Sequence, residues 1–72
     1  MKTVKIETPF IKLDSLLKLA DLVSSGGEAK MVIQDGLVKV NGEVCTMRGK
    51  KLYPGDQVQL LGNTYVVTAD EA

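Results

Sequence analysis

Ser25-Gly26-Gly27-Glu28-Ala29-Lys30, running through Gln34-Asp35-Gly36 into Val38-Lys39-Val40-Asn41-Gly42, is the stretch whose reading decides the fold. Ser25 with Glu28 three residues on is a capping-box pattern, so a helix is expected to start at Ser25. Ala29, Val32 and Ile33 supply its apolar stripe. Gly36 after Asp35 is a stop signal, because glycine takes the left-handed conformation without a Cβ clash. Val38-Lys39-Val40, Asn41-Gly42 and Glu43-Val44-Cys45 then read as a β-hairpin, since both positions of Asn-Gly tolerate positive φ.

Upstream, Leu13, Leu16, Leu17, Ala20 and Val23 follow helical spacing, with Asp14 near the start where its charge suits the helix dipole. This first helix is expected to end at Ser24-Ser25-Gly26-Gly27, which makes an αα-hairpin with so short a link. Lys2 to Ile6 alternates as a short strand and Pro9 breaks it. Phe10 is expected to pack beneath the sheet or against the first helix. Downstream, Arg48-Gly49-Lys50-Lys51 reads as a basic loop and Tyr53-Pro54-Gly55-Asp56 as a turn, proline presetting φ and glycine supplying a positive one. Gln57 to Leu60 is a strand, Gly62-Asn63 turns the chain, Thr64 to Val67 is another strand, and Thr68 to Ala72 is an acidic, frayed tail. The fold class is α+β: an αα-hairpin packed on a small antiparallel sheet.

The 72 residues suit a single domain over positions 1–72. No apolar run approaches the roughly 20 residues of a membrane span, and the N-terminus has no signal-peptide h-region. A single cysteine, Cys45, fits a reducing cytosol and reads as a small half-buried strand residue. With no histidine and one cysteine, the usual zinc ligands are too few, and neither a metal nor a cofactor is expected. The same shortage argues against an enzyme: no histidine serves as general base, and Cys45 has no evident activator. Nine basic residues against nine acidic give a formal net charge of zero, which counts against an indiscriminate nucleic-acid binder. The distribution softens that objection, because Lys39, Arg48, Lys50 and Lys51 fall in a stretch with one acid, Glu43.

The stretch from Lys12 to Leu60 resembles the RNA-binding module named after ribosomal protein S-four, also called the alpha-L motif. The pieces that carry the resemblance are Leu13-Asp14-x-x-Leu17, Ser25-x-x-Glu28-Ala29, Ile33-x-x-Gly36, Val38-x-Val40-Asn41-Gly42 and Pro54-Gly55-Asp56, in family order. The Ser-Gly-Gly-Glu-Ala-Lys version is similar to the small stand-alone bacterial members. Many members carry arginine just before the Leu-Asp pair and again after the serine of the second helix. Lys12 and Gly26 stand there instead, which removes the bidentate phosphate fork that arginine offers.

The resemblance implies binding of structured RNA, ribosomal RNA or a ribosomal subunit foremost, by a ribosome-associated or assembly factor. The protein is expected to be a cytoplasmic monomer with no membrane partner. Candidate RNA-binding residues each have a plainer reading beside them. Ser25, Gly26 and Gly27 open a helix whose free N–H groups can meet a phosphate, or they form an ordinary inter-helix turn. Lys30 and Gln34 share one helical face, or are simply good helix formers. Lys39 faces away from the core by strand alternation. Asn41 has a sufficient explanation in the hairpin turn, with RNA contact secondary. Arg48, Lys50 and Lys51 neutralise phosphates, or serve solubility, and Lys12 and Lys18 extend the same face. Tyr53 and Tyr65 follow a core-like pattern, so packing is expected ahead of base stacking. Two competing functions are a protein-binding module of this fold with little RNA affinity and, more weakly, a DNA binder. The second helix offers DNA no arginine for reading bases.

Overall fold

The computed structural model describes residues 1–69. Its elements, in chain order, are β1 (Lys2–Ile6), β2 (Ile11–Lys12), α1 (Leu13–Leu19), α2 (Gly26–Gln34), β3 (Val38–Val40), β4 (Glu43–Val44), β5 (Lys51–Leu52), β6 (Gln57–Leu60) and β7 (Asn63–Ala69). Five strands form one sheet in the order β1-β7-β6-β3-β4, and β2 pairs with β5 in a separate two-stranded ladder. The two helices pack on each other and on the buried face of the large sheet, as the α+β reading expects. One pairing departs from an all-antiparallel sheet: β1 runs parallel to β7, so the sheet is mixed. Parallel neighbours need a long crossover between them, and here the whole helical pair and hairpin supply it.

Alternation sets the core. Val38, Val40, Val58 and Leu60 of the central strands are buried and their neighbours Lys39, Gln57 and Gln59 are exposed. Leu13, Leu16 and Leu17 from α1, with Ala29 and Ile33 from α2, meet that face and are fully buried. Burying a side chain such as these leucines contributes about 1.5–3 kcal/mol.

The helix ends follow local chemistry. Ser25 caps α2, its Oγ accepting from the Glu28 amide at 3.2 Å. The reciprocal half of the capping box is absent. Glu28 Oε2 instead accepts from Ser24 Oγ at 3.2 Å. At the other end Gly36 has φ +76°, the Gly36 amide donates to Ile33 O and the Leu37 amide to Val32 O, a Schellman motif. Helix α1 is shorter than its apolar spacing suggests. It ends before Asp21, which takes φ 60° while the Leu22 amide donates to Leu17 O at 2.9 Å. This second Schellman closure comes without glycine, and so it is invisible to a search for Gly36-like stops. Val23 is buried in the connection, not on the helix.

The tight turns match the sequence at one hairpin and shift at another. Asn41 and Gly42 have φ 51° and 87° between paired Val40 and Glu43, as the hairpin signal requires. The β6–β7 turn lies one residue earlier than expected, on Leu61-Gly62, because Leu60 pairs with Asn63. Leu61 holds φ 53° and is 78% exposed, so it bears left-handed strain with little burial in return. Leu61→Asn is therefore expected to stabilise the fold by about 0.5–1 kcal/mol, read as a rise of a few degrees in thermal melting. A lower melting point would show that this leucine is needed for packing. Thr68 and Ala69, expected in a frayed tail, instead pair with Lys5 and Ile6 in β1. Residues 70–72 of that tail lie outside the described residues.

Candidate nucleic-acid interface

Helix α1 begins at Leu13, and Lys12 at its N-cap makes no side-chain capping hydrogen bond. A helix start leaves amides without partners, and here the chain answers from far away in sequence. The Leu13 amide donates to Lys50 O at 2.9 Å and the Asp14 amide to Arg48 O at 3.2 Å. The β2–β5 ladder sets Lys12 directly opposite Lys51 and Ile11 opposite Leu52. Leu52 is fully buried and anchors β5 in the core. The stretch expected as a basic loop is thus fastened at both ends of its basic run, and Lys51 belongs to a strand. Lys12, Arg48, Lys50 and Lys51 are brought together and all are exposed.

The opening of α2 is a second exposed surface. Gly26, Lys30 and Gln34 recur every four residues, so they lie along one side of the helix. Ser25, Gly26 and Gly27 are exposed, and a Cβ on Gly26 would meet nothing within 4 Å. Neither packing nor backbone angle explains glycine there. Lys18 sits in the last turn of α1, on the approach to α2, where its charge also suits the helix dipole.

Lys39 does not join the others. It alternates with buried Val38 and Val40 and pairs with Gln59, which puts it on the sheet face away from the helices. Asn41 has a structural role that occupies its amide. Asn41 Oδ1 accepts from the Gln57 amide at 2.9 Å, and Nδ2 donates to Asp56 Oδ1 at 3.2 Å. Asp56 Oδ2 in turn accepts from the Tyr53 amide at 2.8 Å. The Val-Asn-Gly hairpin and the Pro-Gly-Asp turn are therefore clasped to each other. Tyr65 is buried as expected, but Tyr53 is 50% exposed against the expectation of packing. Phe10 is half-buried and rests against Tyr53, with ring centroids 6.0 Å apart and the planes at 50°. Cys45 is half-buried and free, just past β4.

Among the described residues no polar or charged side chain is buried, and no group of three or more His, Cys, Asp or Glu could hold a metal ion. Nor, among those residues, is any helix long and apolar enough to cross a membrane. What the arrangement offers is exposed positive charge held on a rigid frame.

A family model described as S4 domain matches residues 4–68. The chain belongs to the S4-domain family. Its relatives include "Probable ribosome maturation protein RlbA" of Bacillus subtilis (strain 168), 46% identical over 59 residues, 82% of this chain and 83% of that protein. YbcJ of Escherichia coli (strain K12) is 39% identical over 61 residues, 85% of this chain and 87% of the relative. The solution structure of E. coli YbcJ, described as revealing an alfaL motif involved in RNA-binding, superposes with TM-score 0.73 at 37% identity, over 96% of this chain and 89% of that one. The 30S ribosomal protein S4e from Thermoplasma acidophilum shares the fold at TM-score 0.63 and 23% identity, over 83% of this chain and 32% of that one.

Proposed function

We propose that this S4-domain protein binds structured RNA, ribosomal RNA foremost, and acts in the cytoplasm as a ribosome-associated or ribosome-assembly factor without catalysing a reaction. The observation that carries the reading is the Lys12–Lys51 pair. Like charges directly opposite on a ladder are destabilising, yet the fold sets these two face to face and fastens Arg48 and Lys50 beside them. A polyanion relieves that repulsion. The RNA-binding motif of YbcJ and the ribosome-maturation name of the Bacillus relative support the same partner.

In this reading Lys12, Arg48, Lys50 and Lys51 hold the phosphate backbone, and the α2 surface of Ser25, Gly26, Gly27, Lys30 and Gln34 receives a neighbouring segment. Lys18 extends that surface. Lys39 and Asn41 drop to peripheral contacts, one by its position on the far sheet face and the other by its occupied amide. An uncharged total keeps binding to arbitrary nucleic acid weak.

Sedimentation of a tagged protein through sucrose gradients at low and high salt tests the proposal. Salt-labile migration with a ribosomal subunit or its precursor is expected. For purified RNA, the log–log slope of affinity against salt should be about −0.7 to −0.9 per phosphate contact. A flat salt response with the protein at the top of the gradient would overturn the reading in favour of a protein partner. Gly26→Ala supplies a test of the α2 surface with opposite signs. The added methyl enters open space, so the fold should gain about 0.4–1 kcal/mol, while RNA affinity falls because the backbone is no longer bare. Unaltered affinity in the stabilised variant would remove the α2 opening from the interface.

A further inference from the structure

We propose that Phe10 and Tyr53 form a stacking platform for an unpaired RNA base, with Lys12 and Lys51 holding the phosphates that flank it. This rests on the RNA reading above and narrows the target to RNA with a single-stranded or extruded nucleotide beside a helix.

The placement follows from the register of the small ladder. Ile11 pairs with Leu52 and Lys12 with Lys51, so the next position outward sets Phe10 across from Tyr53. Strand side chains alternate between faces. Leu52 turns into the core, fully buried, and Ile11 packs partly buried against that core. Phe10, Lys12, Lys51 and Tyr53 are left on the other face. The contacts agree: the rings lie 6.0 Å apart and Lys51 Nζ sits 4.9 Å from the Phe10 centroid.

Two features suit this patch to a base. Tyr53 stays 50% exposed in a protein whose other tyrosine, Tyr65, is only 6% exposed. Its backbone is also held rigidly. The Tyr53 amide donates to Asp56 Oδ2 at 2.8 Å and Tyr53 O accepts from the Asp56 amide at 2.9 Å. Phe10 O accepts from Thr8 Oγ1 at 2.7 Å. Rigid aromatic rings lose little freedom on binding, and every base offers a π-face to stack on them. Double-stranded RNA keeps its bases stacked inside the helix, whereas loops, bulges and ends can splay them onto an aromatic ring.

The test compares two labelled RNAs by fluorescence anisotropy: a hairpin with a four-nucleotide loop, and a blunt duplex of the same stem. Wild-type protein should prefer the hairpin by at least about 5-fold, the lower end of what stacking one base contributes. Tyr53→Ala should lose that preference and bind the duplex as wild type does. Tyr53→Phe should keep it. Tyr53→Leu, which still covers Phe10, should behave like the alanine variant and guards against an effect of altered folding. Equal binding of hairpin and duplex by wild type, or an equal loss on both RNAs in Tyr53→Leu, would overturn the platform and leave the phosphate reading standing. Failure of wild type to bind either RNA at low salt would overturn the RNA reading and the platform with it.

Discussion

Lys50→Glu combined with Lys51→Glu is expected to abolish detectable RNA binding while the fold stays intact. The double substitution turns two of four clustered positive charges negative, leaving Lys12 and Arg48 beside them. Each lost phosphate contact removes its share of counterion release, and each new carboxylate repels the backbone. A loss of at least about 100-fold at low salt follows from these two effects together. Both side chains are exposed, and the hydrogen bond from the Leu13 amide uses the Lys50 carbonyl, which the substitution keeps. The change at position 51 also replaces a like-charge pair with an opposite-charge pair across the ladder. It also takes the Lys51 cation from above the Phe10 ring, so the two effects offset and stability should stay within about 1 kcal/mol of wild type. Anisotropy titration and thermal melting on the same sample check both halves. Unchanged affinity in a folded double variant would take the basic arm out of the interface.

Leu52→Ala is expected to produce a large loss of stability. Leu52 is fully buried in the same core as Leu13 and Leu17, so truncation leaves a cavity costing about 2–5 kcal/mol. In a domain this small each kcal/mol moves the melting temperature by about 4–8 °C, which places the drop at about 10 °C or more. The same change loosens β5 from β2 and with it the attachment of the arm to α1. RNA affinity should fall even at temperatures where the helices remain folded. A loss of less than about 1 kcal/mol in denaturant unfolding would show that β5 contributes little to the core.

The motif pieces most useful for recognising the family turn out to serve the fold. Asn41-Gly42 and Pro54-Gly55-Asp56 are joined through the Asn41–Asp56 hydrogen bond and the Gln57 amide. Their spacing in the chain reflects that clasp, and the proposed RNA contacts fall to the neighbouring lysines and arginine. The α2 boundaries, the β3–β4 hairpin and the alternation in β1 and β6 were legible because each depends on residues adjacent in sequence. The end of α1 was not, since Asp21 takes a left-handed conformation that glycine ordinarily marks. The exposure of Tyr53 was hidden for a related reason. Beside Leu52 it follows a core-like pattern, and only the pairing of β2 with β5 shows which of the two faces the core.

By itself the sequence determined the α+β class, the capped second helix, the tight hairpin and the list of available cations, because helix signals, turn signals and composition are local properties. Tertiary structure decided which cations lie together. Backbone hydrogen bonds between residues 13–14 and 48–50, with the Lys12–Lys51 pairing, join segments more than thirty positions apart, while strand alternation sends Lys39 to the opposite face of the sheet. Charge–charge energies depend on distance in space, and that distance exists only once the core has brought β2 and β5 together.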